Sequence, residues 1–194
     1  MTEFAAVERS SPETYIDSSA SVAPAQLPRL AIILIELALA VGGFGIGTGE
    51  FAIMGLLPDV ATTFSVTTPQ AGYVISAYAL GVVVGAPGIA VAAARMSRRN
   101  LLLMLMSIFA IGNILSAIAP NFESFTLLRF ITGLPHGAYF GVAALVAASM
   151  APLHKRASAV GRVMLGLTTA TLIGTPIATF FGQALSWRVA FLAV

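Results

Sequence analysis

Five long apolar runs constrain this chain more than any other feature of its sequence. They and a shorter sixth run cover about 30–57, 70–93, 101–119, 125–149, 157–182 and 187–194. A helix needs about 20 residues to cross a hydrocarbon core of ~30 Å. The runs lack the polar–apolar alternation of transmembrane strands. We therefore predict an all-α, polytopic membrane protein with five complete helices and the start of a sixth.

Charged residues are too scarce for a soluble domain of this size. They make up 9% of the 194 residues, against roughly 25% in an average soluble domain. Hydrophobic residues make up 58%, so lipid is expected to surround most of the chain. The chain has no cysteine, and its two histidines are His136 and His154. We expect no metal site, no cofactor and no nucleic-acid partner.

A spacing typical of dinucleotide-binding turns occurs at Gly47, Gly49 and Ala52. Such a turn must follow a strand and face water. These residues instead lie inside an apolar run that is long enough to span a bilayer. Glycine in such a helix allows close packing or bending.

The basic residues predict the orientation. If the helices alternate, one side of the membrane receives Arg9, Arg29, Arg95, Arg98, Arg99, Lys155, Arg156 and Arg162. The other side receives Asp59, Glu123 and Arg188. Because cytoplasmic loops carry the excess of Lys and Arg, we expect a cytoplasmic amino terminus in the cell membrane. Residues 1–28, rich in Ser, Ala, Pro and Glu, are predicted to form a disordered cytoplasmic tail, and residues 29–194 the transmembrane bundle.

The sixth run is short. As a helix, the segment 187–194 spans ~12 Å, less than half of the bilayer core. We therefore expect the chain to be the front part of a longer protein, with a missing carboxy-terminal half as its partner.

Four ionisable residues lie within the runs: Glu36, Glu50, Arg129 and His136. A charge at the bilayer centre costs about 2.5–3.5 kcal/mol on insertion scales, so such groups usually face the bundle interior and pair. Glu36 and Glu50 lie roughly 40° apart around a regular helix, and Arg129 and His136 share a face. The functional hypothesis is a polar cavity in which a carboxylate binds and releases a proton beside Arg129. In the structural alternative, Arg129 and Glu36 reach the membrane interfaces.

Small residues recur every four positions in the fifth run: Gly166, Ala170, Gly174, Ala178 and Gly182. Shorter stripes occur at Gly133, Gly137 and Gly141 and at Gly81 and Gly85. These stripes favour close helix packing, and they also suit helices that slide or rock against each other. Pro135 and Pro176 predict weak points or kinks. Aromatic residues such as Tyr78 and Phe140 either pack or line a substrate route, and packing is favoured.

Four segments resemble a known family. GTGEFAIMGLLPDVA, YALGVVVGAP, RFITGLPHGAYFGV and SWRVAFL are similar to the first, second, fourth and sixth helices of the major facilitator superfamily, in the drug:proton antiporter branch near the arabinose-efflux permeases. The resemblance runs from about Leu30 to Val194. It implies the first six-helix bundle of a twelve-helix protein, and it places Glu50 where related antiporters carry an acid.

Two motifs match that family in part. Arg95, Arg98 and Arg99 occupy the basic positions of its cytoplasmic loop motif, whereas Ala94 replaces the usual aspartate. In the fifth helix, a threonine separates Gly174 from Pro176, where the antiporter motif has Gly-Pro. Arg129 and Gly133 fit the fourth-helix pattern Arg-x-x-x-Gly.

The resemblance implies transmembrane transport by alternating access, namely proton-coupled efflux of a drug-like compound or a sugar. Proton-coupled uptake remains open within that class. Outside it, the chain is a truncated product that transports nothing, or a membrane interaction subunit that needs a partner half. We expect no enzyme, because the sequence has no catalytic constellation such as paired aspartates or a metal cluster.

Overall fold

A computed structural model describes residues 28–93 and 95–194, apart from the side chain of Ala90. All regular structure in these residues is helical. The elements are α1 Arg29–Phe64, α2 Thr68–Ala71, α3 Tyr73–Ala92, α4 Arg98–Ala117, α5 Phe122–Ser149, a 3₁₀ turn Leu153–Lys155, α6 Arg156–Thr169, a π-helical turn Ala170–Gly174, α7 Thr175–Ala184 and α8 Trp187–Leu192. The predicted tail lies outside the described residues, apart from Pro28.

Five helical segments are long and apolar enough to cross a membrane. They are Arg29–Phe64, Thr68–Ile89, Arg98–Ala117, Phe122–Ser149 and Leu153–Ala184. Many large apolar side chains point outward from them, including Leu37, Val83 and Leu172. An outward apolar surface suits a lipid solvent, so the prediction of an all-α, polytopic membrane fold is confirmed.

The bundle is held by packed helix pairs, most of which are distant in sequence. α3 lies along α5, α4 also packs on α5, and α1 lies along α6, the π turn and α7. The short α8 closes the bundle between α4 and α7. One apolar cluster includes Leu56, Phe125 and Trp187, and a second includes Leu105 and Phe109.

Small residues bring the paired backbones together. A Cβ on Gly166 would overlap the backbone of Ala40 in α1, and one on Gly81 would overlap the carbonyl of Phe130 in α5. Such approach lets van der Waals contact hold the helices where lipid removes the hydrophobic driving force.

The π turn keeps the stripe of the fifth run against α1. Four residues of α-helix advance 40° beyond a full turn, so the four steps from Gly166 to Gly182 would drift by about 160°. A π turn has more residues per turn, and each residue therefore rotates less. All five stripe residues, Gly166, Ala170, Gly174, Ala178 and Gly182, are buried.

The first helix passes through Pro58, where the sequence predicted its end. α1 continues to Phe64, beyond the predicted boundary at residue 57. A proline removes one backbone donor, but the turns on either side keep their hydrogen bonds. A break would expose further groups for which hydrocarbon has no partner, and this explains why the structure corrects the predicted boundary.

A Schellman motif ends α1 instead. Ser65 is left-handed, with φ 54° and ψ 40°, and its N–H donates to the carbonyl of Thr62 at 3.3 Å. The Val66 N–H donates to the Ala61 carbonyl at 3.0 Å. These two bonds satisfy the last carbonyls of α1 in the usual pattern for that motif.

Polar caps move the other helix starts by a few residues. The Ser97 side chain accepts a hydrogen bond from the Asn100 N–H, so α4 begins at Arg98 and not at 101. Asn121 forms a capping box with Ser124, so α5 begins at Phe122 and not at 125. The run predicted at 70–93 is divided into α2 and α3 at Gly72. The run predicted at 157–182 extends from Arg156 to Ala184 and contains the π turn.

Replacing Gly166 by alanine should separate α1 from α6, because the new methyl group meets the backbone of Ala40. We expect the free energy of unfolding to fall by about 1–3 kcal/mol, measured by circular dichroism in detergent. Gly161→Ala is the matched control, since a Cβ there meets nothing within 4 Å. Equal effects of the two substitutions would contradict the assigned contact.

Candidate functional site

Glu50 and His136 face each other between α1 and α5. Glu50 Oε2 lies 3.6 Å from His136 Nδ1, and the two side chains are 25% and 14% exposed. Tyr78 of α3 joins them, because its hydroxyl oxygen lies 3.0 Å from the same Nδ1 atom. Three helices thus supply one group each to a small polar cluster.

Arg129 lies beside this cluster and is fully buried. Its guanidinium carbon stands 4.3 Å from the centre of the Tyr78 ring and 5.3 Å from that of Phe191. None of its three guanidinium nitrogens has a hydrogen-bond partner among the described residues. Arg129 therefore points into the bundle, where it meets aromatic faces in place of a carboxylate.

Further polar side chains are buried in the same bundle. The Asn113 side chain donates to the Phe109 carbonyl at 2.9 Å, whereas its Oδ1 atom has no partner among the described residues. Thr132 donates to the Arg129 carbonyl at 3.0 Å. The contact between α4 and α5 therefore contains buried polar side chains from both helices.

Glu36 does not join this group. It forms a bidentate ion pair with Arg162 of α6, with Nε–Oε2 and Nη2–Oε1 distances of 2.7 and 2.6 Å. Glu36 lies 14 residues before Glu50, which is about 21 Å along a helix. The two acids thus belong to different sites, and Glu36 ties α1 to α6.

The arrangement brings two titratable side chains, Glu50 and His136, close together without a hydrogen bond between them. His136 Nδ1 faces both the Glu50 carboxylate and the Tyr78 hydroxyl, and either an imidazolium–carboxylate pair or a neutral pair fits the geometry. The 3.6 Å separation of Glu50 Oε2 from His136 Nδ1 is longer than a hydrogen bond. The Glu50 side chain can therefore move away from His136 without breaking a hydrogen bond. Its partial exposure gives it a route to exchange a proton or contact a solute.

The three arginines of the loop motif lie at the turn between α3 and α4. Arg95, Arg98 and Arg99 are exposed, and within the described part of the chain no ion pair involves them. Arg98 and Arg99 form the first turn of α4, next to its Ser97 cap. Ala94, which replaces the family's aspartate, lies outside the described residues.

Three partners escaped the sequence-based analysis. The sequence favours packing for Tyr78 and uses Arg162 and Arg188 only to predict the orientation. Arg188 donates to the carbonyls of Ala117 and Ala119 at 2.6 and 3.1 Å. The signal that was available for Tyr78 and Arg162 is their polarity inside an apolar run.

The fold is a bundle of membrane-length helices with a buried polar cluster in its interior. The sequence model of the Major Facilitator Superfamily matches residues 39–194. The chain belongs to this superfamily of transporters.

Known proteins resemble it over most of its described length. It is 52% identical over 157 residues to the inner membrane transport protein YdhP of Escherichia coli (strain K12), covering 81% of this chain and 40% of that protein. It is 35% identical over 155 residues to a "Probable sugar efflux transporter" of Haemophilus influenzae (strain PittGG), covering 80% and 39%. The chain thus spans about 40% of the length of these relatives.

A solved structure supports the fold. The proton:xylose symporter XylE superposes with a TM-score of 0.74 at 19% identity, covering 84% of this chain and 41% of that one. At this identity the likeness shows the helical architecture alone.

Two arginines of this bundle should respond in opposite ways to replacement by methionine. Arg129→Met removes a buried cation whose donors are unpartnered, and we expect the free energy of unfolding to rise by about 1–3 kcal/mol. Arg188→Met leaves the Ala117 and Ala119 carbonyls without their donor, and we expect a loss of about 1–3 kcal/mol. Unfolding in detergent measures both. An Arg129→Met variant as destabilised as Arg188→Met would contradict the absence of a partner for Arg129.

Proposed function

We propose that this chain forms the first half of a proton-coupled exporter of a small organic solute, either a drug-like compound or a sugar. The observation that carries the proposal is the Glu50–His136–Tyr78 cluster beside the unpartnered Arg129. The printed name of the Haemophilus relative supports efflux and a sugar-like solute.

Glu50 is the proton carrier in this proposal. It takes up a proton from the outside, where the solute is released, and gives the proton up toward the cytoplasm before the next solute binds. Its side chain is 25% exposed, and this supports a role in contact with an internal cavity. Neither step requires a covalent intermediate.

The charge of Glu50 changes the force between α1 and α5. A deprotonated Glu50 attracts Arg129, whereas a protonated Glu50 does not. The guanidinium lies over the Tyr78 ring, and in this proposal Arg129 stays with α5 while α1 moves. Proton binding and release can therefore bias the two ends of an alternating-access cycle.

The proposed orientation places the amino terminus and the basic loops in the cytoplasm. Arg95, Arg98 and Arg99 form an exposed cluster, and Lys and Arg of short loops collect on that side. The membrane would be the cell membrane, since the relative YdhP is an inner membrane transport protein.

Proton-coupled uptake is the second candidate. It is supported by the structural likeness to XylE, which is a proton:xylose symporter. That likeness concerns the fold, whereas the efflux name belongs to a relative with 35% identity. We therefore favour export.

Glu50→Gln tests the proton carrier. The chain would be co-expressed with the carboxy-terminal half of YdhP, and everted vesicles would receive an inside-acid gradient with radiolabelled xylose or chloramphenicol as probes. We expect gradient-driven accumulation with the unsubstituted chain and the background level with Glu50→Gln, because glutamine carries no exchangeable carboxyl proton. Glu123→Gln is the control, since Glu123 is an exposed residue in the first turn of α5.

The same vesicles separate the remaining alternatives. Undiminished accumulation with Glu50→Gln would overturn the assignment of Glu50. Accumulation only under an outside-acid gradient would favour uptake. Accumulation by the 194-residue chain alone would show that it needs no partner half. If no solute accumulates under either gradient, with or without the partner half, a non-transporting product or an interaction subunit would be favoured.

A further inference from the structure

An apolar groove of about 420 Å³ runs along the surface between α1 and α6. Ile33, Leu37, Val41 and Phe44 of α1 and Leu165 and Thr169 of α6 are among the residues that line it. The Thr169 hydroxyl donates to the Leu165 carbonyl at 2.7 Å, so its donor is already used within the helix. The walls of the groove therefore suit a hydrocarbon chain better than a polar solute.

The length of the groove matches one leaflet of a bilayer. Ile33 and Phe44 lie 11 residues apart on α1, which is about 16 Å along a helix. A hydrocarbon core of ~30 Å gives each leaflet about 15 Å. One acyl chain of a lipid can thus lie in the groove over its whole length.

A polar group borders the groove at the end nearest the start of α1. There Arg162 donates through Nε and Nη2 to the Glu36 carboxylate, and its Nη1 donates to Ser158 Oγ at 3.1 Å. Among the described residues, these bonds use three of its five N–H groups. The Arg162 side chain is 48% exposed, so the other two N–H groups are available to an acceptor outside the chain. Phosphate oxygens are acceptors that a guanidinium binds well.

The same end of the two helices is basic. Arg29 begins α1 seven residues before Glu36, and Lys155 lies seven residues before Arg162, about 10 Å along a helix in each case. Glu36 is the one acid in α1 up to Phe44 and in all of α6, and Arg162 offsets its charge. The net positive charge that remains favours an anionic headgroup over a zwitterionic one.

We propose that this groove binds one anionic phospholipid of the surrounding membrane. An acyl chain lies against the apolar walls, and a phosphate oxygen accepts a hydrogen bond from a free N–H of Arg162. The lipid bridges α1 and α6 beside the close contact of Gly166 with Ala40, and it adds to the ion pair that already joins these helices. This role is independent of the proton chemistry proposed for Glu50.

Native mass spectrometry tests the site with two probes, dioleoyl phosphatidylglycerol and dioleoyl phosphatidylcholine. The probes carry the same acyl chains and differ in the charge of the headgroup. They would be added in equal amounts to the 194-residue chain in detergent, alone and co-expressed with the carboxy-terminal half of YdhP. In both samples we expect one phosphatidylglycerol to be retained per chain, in about fivefold preference over phosphatidylcholine, which is the effect of one basic residue on an anionic lipid.

A substitution that fills the groove should remove this lipid. Val41→Trp places a large side chain on the α1 wall, and we expect the retained phosphatidylglycerol to be lost. Val83→Trp is the matched control, because Val83 is exposed on α3 and does not line the groove. If Val41→Trp does not fold, Leu165→Trp fills the same groove from the α6 wall.

A second pair of variants tests the headgroup contact. Glu36→Gln combined with Arg162→Gln removes the guanidinium without leaving an unpaired carboxylate, and it leaves the net charge unchanged. The preference for phosphatidylglycerol should fall from about fivefold to none. Arg99→Gln is the control: it removes an exposed cation from the first turn of α4 and should keep the preference.

Three results would overturn the proposal. The first is equal retention of the two lipids by the unsubstituted chain. The second is a preference that Val83→Trp or Arg99→Gln lowers as much as the groove variants do, since general surface charge would then explain it. The third is a preference that disappears on co-expression, since this would assign the groove to the other half of the protein.

Discussion

The absence of hydrogen-bond partners in hydrocarbon is the constraint on which the rest of this structure depends. It explains why the regular structure of the described residues is helical and why α1 continues through Pro58 to Phe64. It also explains why helix ends coincide with polar caps, such as Ser97 and Asn121. Inside the bundle the same constraint makes every polar group costly, so each needs a protein partner or a function.

Three arginines show how this bundle meets that constraint. Arg162 pairs with the carboxylate of Glu36, and Arg188 donates to carbonyls at the end of α4. Among the described residues, Arg129 meets the faces of Tyr78 and Phe191, and its guanidinium nitrogens have no hydrogen-bond partner. The first two therefore contribute to the packing of helices, whereas no hydrogen bond or ion pair among the described residues offsets the burial of the Arg129 charge. That difference, and its position near Glu50, is why we assign it to the transport cycle.

The sequence predicted the number and type of helices because hydropathy over about 20 residues is a local signal. It predicted the helix ends less well. Pro58 looks like the end of a helix but lies inside α1, and the left-handed position that does end α1 is occupied by Ser65 and not by the glycine that usually marks such an end. It singled out Glu50, Arg129 and His136 as intramembrane charges, but not Tyr78, which lies 58 residues from His136 in sequence. The π turn was not predicted for a different reason. Small residues at every fourth position look regular in the sequence, and only the helix packed beside them, α1, shows that a regular α-helix would rotate them out of the contact. Long-range pairs of this kind follow from the packing of helices, which periodicity along one chain does not encode.

Infrared difference spectroscopy on the chain co-expressed with its complementary half would test the central claim most directly, namely that Glu50 gains and loses a proton inside the membrane bundle. Acidification of the sample should produce the carbonyl stretching band of a protonated carboxyl group, and this band should be missing in Glu50→Gln while the rest of the difference spectrum remains. A band of unchanged intensity in Glu50→Gln would contradict the account, because another group would then carry the proton.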